Sequence, residues 1–250
     1  MNKKNINNKF VEEDLEKAII DLILKDKNYS FIDGEKLHRQ YNEILLKDDL
    51  KNFLVKQYPD LNNIEIKLII SNLENTPSTN LYEGNKETFR LLNEGFNFKR
   101  KEEDKKSLHV NFIDFENVKN NTFKIINQFS VQDHKLRRPD LLLFINGIPI
   151  VIFEFKTAID ENKTIYDAWE QIHLRYSRDI PKLMKYCSIS VLSDGANTKL
   201  GTIFTPYEFY YSWNKIDQNE KEALKGIETL YSLVSGALSA IRLIEVFKDF

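Results

Sequence analysis

Asp140, Glu154 and Lys156 are the residues of this chain whose types and spacing could do chemistry. Two carboxylates a few ångströms apart can share a hard divalent cation, which prefers oxygen ligands and keeps some of its own waters. Such a cation polarises a phosphoryl oxygen and lowers the pKa of a bound water. A lysine beside the acids could orient that water or offset charge developing on phosphorus. A plainer reading of Glu154 and Lys156 is a solvated pair on an edge strand, a common device against edge-to-edge pairing. The apolar residues on both flanks read instead as a central strand, and Pro149 sits beside the turn, where a missing donor matters least.

The element that must position these groups is a hairpin. Residues 141–156 (LLLFINGIPIVIFEFK) form two β-rich runs around Asn146-Gly147, a turn signal. Side chains alternate along a strand, so Glu154 and Lys156 share one face while Phe153 and Phe155 take the other. Asp140 joins them or not according to the turn. A two-residue loop pairs Ile145 with Ile148 and sets Asp140 opposite Phe153, on the wrong face. A three-residue loop over 145–147, with Gly147 left-handed in a bulge, pairs Asp140 with Ile152. Glu154 is then diagonal to Asp140 at roughly 7–8 Å between backbones. The three-residue loop is the reading adopted.

Asp140 with Glu154-x-Lys156 resembles the PD-(D/E)XK nuclease signature. The context RRPDLLLFINGIPIVIFEFKT (residues 137–157) resembles the N-terminal nuclease region of the R subunit of type I restriction endonucleases. The likeness continues in order through residues 78–85 (STNLYEGN), 111–117 (NFIDFEN), 123–131 (FKIINQFSV) and 193–195 (SDG), and so covers most of the chain. It implies an α/β (mixed α+β) restriction-endonuclease-like core, a mixed sheet flanked by helices with an N-terminal helical elaboration. It implies Mg2+, with Mn2+ as a substitute, held by Asp140, Glu154 and the carbonyl of Phe155, and Lys156 positioning the water. In that family a Gln-x-x-x-Tyr pair follows the Glu-x-Lys strand. Here Gln171 and Tyr176 have four residues between them, and one extra residue is about 100° of helix, so Tyr176 leaves the Gln171 face unless the helix is distorted. The family also uses a further acid from a core helix in many members; Glu16 and Glu83 are the candidates.

The implied substrate is double-stranded DNA, cut after ATP-driven translocation, in a complex with methyltransferase and specificity subunits. No Gly-x-x-x-x-Gly-Lys-Ser/Thr phosphate loop occurs in the chain, so ATP would be bound only by motor domains beyond it. Residues 226–250 resemble the segment leading into that motor, which makes the chain an N-terminal fragment in expectation. The rival reading is a catalytically inactive nuclease-fold module used for docking.

Composition sets the frame. At 250 residues the chain can bury a sizeable core, and 42% apolar with 30% charged residues reads as globular. No apolar run approaches the roughly 18–20 residues of a membrane span. The single cysteine, Cys187, fits a reducing cytoplasm. The net charge of −2 means that affinity for DNA must come from local clusters such as Lys135, Arg137 and Arg138, or Arg175 and Arg178. His109, His134 and His173 lack zinc-ligand spacing. Ser193-Asp194-Gly195 reads as a strand-ending turn.

Apolar periodicity gives helices over 11–25, 35–58, 63–73 and 85–94, the last stopped by Gly95, with a polar interruption at 30–34 and a loop at 75–79. Residues 100–106 read as an exposed turn. Strands follow over 108–115 and 122–131, then the hairpin, a helix over 166–177, a buried strand over 186–193 and an aromatic-rich extended segment over 201–213. A helical stretch closes at 219–250. The domain reading is residues 1–100 as a helical part packed on the core, 101–215 as the nuclease core with its hairpin, and 216–250 as the lead into the absent motor.

Overall fold

The computed structural model describes residues 3–100, 106–156, 164–216, 219 and 227–249. In chain order the elements are α1 (Lys3–Ile23), β1 (Tyr29–Asp33), α2 (Lys47–Gln57), α3 (Asn63–Glu74), α4 (Leu81–Glu94), β2 (Phe96–Phe98), β3 (Leu108–Val110), β4 (Phe123–Asn127), β5 (Val131–Gln132), β6 (Leu136–Arg137), β7 (Leu141–Ile145) and β8 (Ile148–Phe155). Then come α5 (Ile165–Glu170), a π-helical turn (Gln171–Tyr176), α6 (Ser177–Asp179), α7 (Pro181–Met184), β9 (Ile189–Ser193), β10 (Thr198–Gly201), α8 (Ile227–Gly236) and α9 (Ala240–Asp249).

Six strands form one mixed sheet in the order β1-β4-β7-β8-β9-β10, with helices against it. β1 is parallel to β4 and β9 is parallel to β8; the other pairs are antiparallel. Every residue of β7 and β8 is buried, so the sheet is covered on both faces, as their near-continuous apolar run requires. Helix α1 packs through Leu15, Ile19, Ile20 and Ile23, one stripe at helical spacing. Helix α3 opens with a capping box, Asn62 with Glu65.

Several elements differ from their sequence reading. The polar interruption at 30–34 is largely β1, an edge strand whose single neighbour β4 lies far along the chain. The helix expected over 35–58 is confined to a 3-10 turn at Gly34–Lys36 and to α2. Between them Arg39 stacks on Phe129, 3.4 Å from the ring centroid, and donates to the carbonyls of Gln40, Glu43 and Ser130. Those bonds hold residues 37–46 as a loop. The strand read at 108–115 is only β3, which pairs with β2 in a small separate sheet. β4 stops at Asn127 because Gln128 takes φ 48°. The segment at 201–213 is mostly not strand, although Leu200 pairs with Tyr211. Arg100 is not exposed: it is ion-paired with Glu65 at 2.8 Å, both side chains 8% exposed, while 101–105 lie outside the described residues. The closing helix bends by 74° between α8 and α9, whose Leu230, Leu233, Leu243 and Phe247 enter the core. Among the described residues no single helix is long and apolar enough to cross a membrane.

Candidate active site

The loop of the β7–β8 hairpin has two residues, not three. Ile145 pairs with Ile148, and both Asn146 (φ 51°) and Gly147 (φ 81°) are left-handed, the pattern of a type I′ turn. The left-handed Asn146 is buried and held by hydrogen bonds. Its amide donates to the Phe112 carbonyl (2.9 Å) and Asn121 Oδ1 (2.8 Å), and its Oδ1 accepts from Thr122 N (2.8 Å). A Cβ on Gly147 would lie 2.3 Å from the Leu46 carbonyl oxygen, so no other residue fits there.

The face that this turn denies to Asp140 is restored further down. The ladder shifts between the pairs Phe144–Pro149 and Leu143–Val151, which leaves Ile150 as an extra residue in β8. This β-bulge follows Pro149, which has no N–H to give the ladder. Leu141 then pairs with Phe153, and one more step of the same register sets Asp140 directly opposite Glu154 rather than diagonal to it. Asp140 Oδ2 accepts from the Phe155 amide at 2.7 Å. Lys156 returns to the same face: its Nζ is 2.7 Å from Glu154 Oε1 and 3.0 Å from the Phe155 carbonyl. The three side chains do share one face, but the bulge lies in β8 and not at the turn.

Gln171 and Tyr176 also meet, through a distortion of the helix that carries them. A π-helical turn spends one residue more than an α-helix on each revolution. Here it spans Gln171–Tyr176, and Ser177 N bonds back to Ile172 O. Gln171 Nε2 donates to the Tyr176 hydroxyl (2.8 Å), and that hydroxyl donates to Glu154 Oε2 (3.0 Å). A continuous chain results, Gln171–Tyr176–Glu154–Lys156. The helix begins at a capping box of Thr164 and Asp167. Trp169 and His173, stacked 4.5 Å apart, bond to the carbonyls of Thr205 and Ile203, which accounts for His173 by packing.

The electrostatics are those of buried charge. Burial pushes the Asp140 carboxyl well above the usual range, and the Glu154 charge adds to this against the Phe155 amide and Lys156. Burial raises Glu154 as well, opposed by Lys156 and by the Tyr176 hydroxyl. For Lys156, burial works against the ammonium, but Glu154 outweighs it and the pKa stays above the ordinary lysine value. Burial and the two carboxylates keep Tyr176 a neutral phenol, hence a donor. Asp140, Glu154 and the Phe155 carbonyl offer only oxygen, and two acids share one lysine. That donor set fits a hard divalent cation, which would relieve the repulsion raising Asp140. Among the described residues no three His, Cys, Asp or Glu side chains gather as a group that could hold a metal ion.

Glu16 belongs to this region and Glu83 does not. Glu16 is buried on α1 and accepts from Asn127 (2.8 Å) and Gln128 (2.6 Å); Gln128 N in turn donates to the Asp140 carbonyl (2.9 Å). Glu83 is exposed in the first turn of α4. Sequence reasoning missed Glu12 and Gln128. Glu12 lies one helical turn before Glu16 and its charge reaches Asp140, Glu154 and Lys156; that i, i+4 spacing was the available signal. Nothing local marks Gln128. A cleft of about 380 Å³ is lined by Glu12, Glu16, Gln128, Arg138, Asp140 and Phe155 among others, with Glu154 and Lys156 buried outside its lining. A larger concavity of about 920 Å³ over residues 35–43 touches none of the hairpin acids. At Ser193-Asp194-Gly195, Asp194 Oδ1 accepts from the amides of Ala196 and Asn197 and Gly195 has φ 82°, a turn without chemistry.

Residues 9–209 match the family described as type I restriction enzyme R protein N terminus. The chain belongs to this family. Its relatives include the protein provisionally named type I restriction enzyme MjaIXP endonuclease subunit of Methanocaldococcus jannaschii, 32% identical over 91% of this chain and 24% of the relative. The type I restriction enzyme HindI endonuclease subunit of Haemophilus influenzae is 24% identical over 87% of this chain and 21% of its own length. The type I restriction enzyme SsaAORF53P endonuclease subunit of Staphylococcus saprophyticus is 30% identical over 50% of this chain and 14% of its own. The chain thus spans under a quarter of the length of these R-protein relatives. Within the matched region, Asn85 of the 78–85 run clamps the approach to β9 by donating to the carbonyls of Met184, Lys185 and Cys187 (3.0–3.2 Å).

Proposed function

We propose that this chain is the Mg2+-dependent nuclease domain of a type I restriction R subunit, with a PD-(D/E)XK core that hydrolyses phosphodiesters of double-stranded DNA in the cytoplasm. It acts with methyltransferase and specificity subunits, after translocation by an ATP-driven motor outside this chain. Residues 1–100 and 101–215 build the nuclease and 216–250 lead toward the motor. One observation carries the reading: Asp140 and Glu154 oppose each other across the bulged hairpin, with Lys156 and Tyr176 each bonded to one oxygen of Glu154.

Asp140, Glu154 and the Phe155 carbonyl would hold the cation. When bound, it supplies Lewis acidity toward the phosphoryl oxygen and a more acidic water. The protein's own groups do the rest. The Lys156 ammonium, kept charged by Glu154, faces developing negative charge and can hold a water by hydrogen bond. Tyr176 fixes the Glu154 carboxylate from behind, and Gln171 fixes Tyr176. Burial of Glu154 and Lys156 excludes bulk solvent and strengthens each interaction.

In the assembled enzyme, Glu154→Ala or Lys156→Ala is expected to reduce nicking of supercoiled plasmid by on the order of 10²–10³-fold or more while ATP hydrolysis continues. Retained cutting by either variant overturns the roles. Calorimetric titration with Mn2+ is expected to show a site in this chain that Asp140→Asn loses. An unaltered chain that binds no Mn2+ would leave the docking module as the better reading.

A further inference from the structure

Lys135 and Arg137, far from Arg178 in the sequence, meet it in the fold at Asp179. Its side chain is 1% exposed. Arg178 Nε lies 2.7 Å from Oδ1, Arg137 Nε 2.8 Å from Oδ2, and Lys135 Nζ 3.7 Å from Oδ1. The Lys135 amide also donates to the Asp179 carbonyl at 3.1 Å. Beside them Lys182 pairs with the buried Asp133 at 3.3 Å, and Arg138 pairs with Glu35 at 3.2 Å. The two buried anions lie inside and the cations lie outside, Lys135, Arg178 and Lys182 being 57%, 64% and 63% exposed.

One arginine neutralises the charge of one carboxylate. Three cations on one buried acid leave positive charge that the fold does not need, presented outward. Hydrogen bonds from Arg178 and then Arg137 hold the Asp179 carboxyl far below the ordinary range, against the effect of burial, so the anchor stays charged. The position also matters. Arg137 comes three residues before Asp140, and Asp179 three residues after Tyr176, so the patch starts where both arms of the candidate active site end. In a chain of net charge −2, a polyanion must be drawn to such a local field.

We propose that Lys135, Arg137, Arg178 and Lys182 grip the phosphate backbone of double-stranded DNA and align it on the hairpin, with Asp179 as a positioning residue that orders the two guanidinium groups. The proposal rests on the nuclease reading and names how that site takes its substrate. Planar guanidinium forks held in place suit phosphate oxygens, and phosphate contacts set register without reading sequence.

The test is binding of a fluorescent duplex by this chain in EDTA, where no cutting intervenes, over a range of salt. Lys135→Glu with Arg178→Glu is expected to weaken binding at least tenfold and to flatten the slope of log affinity against log salt by about two. Lys51→Glu with Lys67→Glu makes the same charge change at exposed positions on α2 and α3 and is expected to leave the slope unchanged. The milder pair Lys135→Gln with Lys182→Gln is expected to lower the slope by about one to two. Asp179→Asn is expected to weaken binding while keeping all four cations. Equal losses in the Lys135/Arg178 and Lys51/Lys67 pairs, unchanged binding in the patch variants, or no salt-dependent duplex binding by the unaltered chain each overturn the proposal. Displacement of duplex by poly-aspartate as effectively, charge for charge, overturns it in favour of an acidic protein partner. Plasmid nicking by the assembled enzyme separates the two ideas: patch variants that bind duplex normally while the unaltered enzyme nicks sink the grip alone, and patch variants that lose binding while the unaltered enzyme never nicks sink the nuclease alone.

Discussion

At the scale of single residues, the site is a set of charges kept by their neighbours. Glu154 is 1% exposed, and an unpaired buried carboxylate would cost several kcal/mol. Lys156 on Oε1 and Tyr176 on Oε2 stabilise its charged form. Tyr176→Phe keeps the ring in the core and removes the donor to Oε2 along with the acceptor for Gln171. The expected loss in stability is about 1–3 kcal/mol, since Glu154 retains the lysine. The expected loss in nicking is about 10–100-fold, the usual effect of removing an outer partner of a ligand. Chemical denaturation and plasmid nicking measure the two. Wild-type cutting by Tyr176→Phe would mean that the tyrosine only packs. The acids and the lysine were legible in the sequence because charge within an apolar run is conspicuous. Asp179 and Gln128 were not, because each acquires its partners only when distant segments meet.

At the scale of elements, two irregularities do what regular geometry could not. The type I′ turn was written in Asn146-Gly147, but the sequence reading set the bulge at that turn, whereas Pro149 and the ladder place it at Ile150. A bulge in either position brings Asp140 onto the Glu154 face, which is why the face was readable and the register was not. The second irregularity is the π-helical turn. Four residues between Gln171 and Tyr176 put the pair on different faces of an α-helix, and the sequence contains that mismatch without its remedy. The tertiary bond from Tyr176 to Glu154 supplies the reason for the distortion. Deleting Leu174, which is exposed, leaves three intervening residues, and an ordinary α-helical turn then joins glutamine to tyrosine. The deletion variant is expected to keep nicking within about tenfold of the parent. An alanine inserted after Leu174 moves the tyrosine about 100° further and is expected to act like its removal. A deletion that abolishes cutting while the fold survives would show that the extra residue has a role of its own.

At the scale of the whole molecule, the N-terminal and C-terminal segments are tied together across the sheet that holds the hairpin. β1 lies on the outer side of β4, the strand next to β7. Tyr29 in β1 donates its hydroxyl to the Leu238 carbonyl at 2.7 Å, and the amide of Ala240 donates to Asp26 at 2.9 Å. Helix α1 carries Glu16 to the cleft beside Asp140. Periodicity revealed the helices on either side but not β1, whose five residues gain their order from a partner strand that the local sequence does not contain. Leu15, Ile19, Ile20, Ile23 and Tyr29 are all buried. At about 1.5–3 kcal/mol for each side chain their burial amounts to roughly 10 kcal/mol, comparable to the entire stability of an ordinary domain. Removing residues 1–34 would withdraw that contribution, bare the edge of β4 and free Asn127 and Gln128 from Glu16. The shortened chain is therefore expected to lose the cooperative thermal transition of the parent and to aggregate through β4. Circular dichroism against temperature measures the transition. A sharp transition in the shortened chain would mean that residues 35–250 hold the hairpin and its acids without the N-terminal strand.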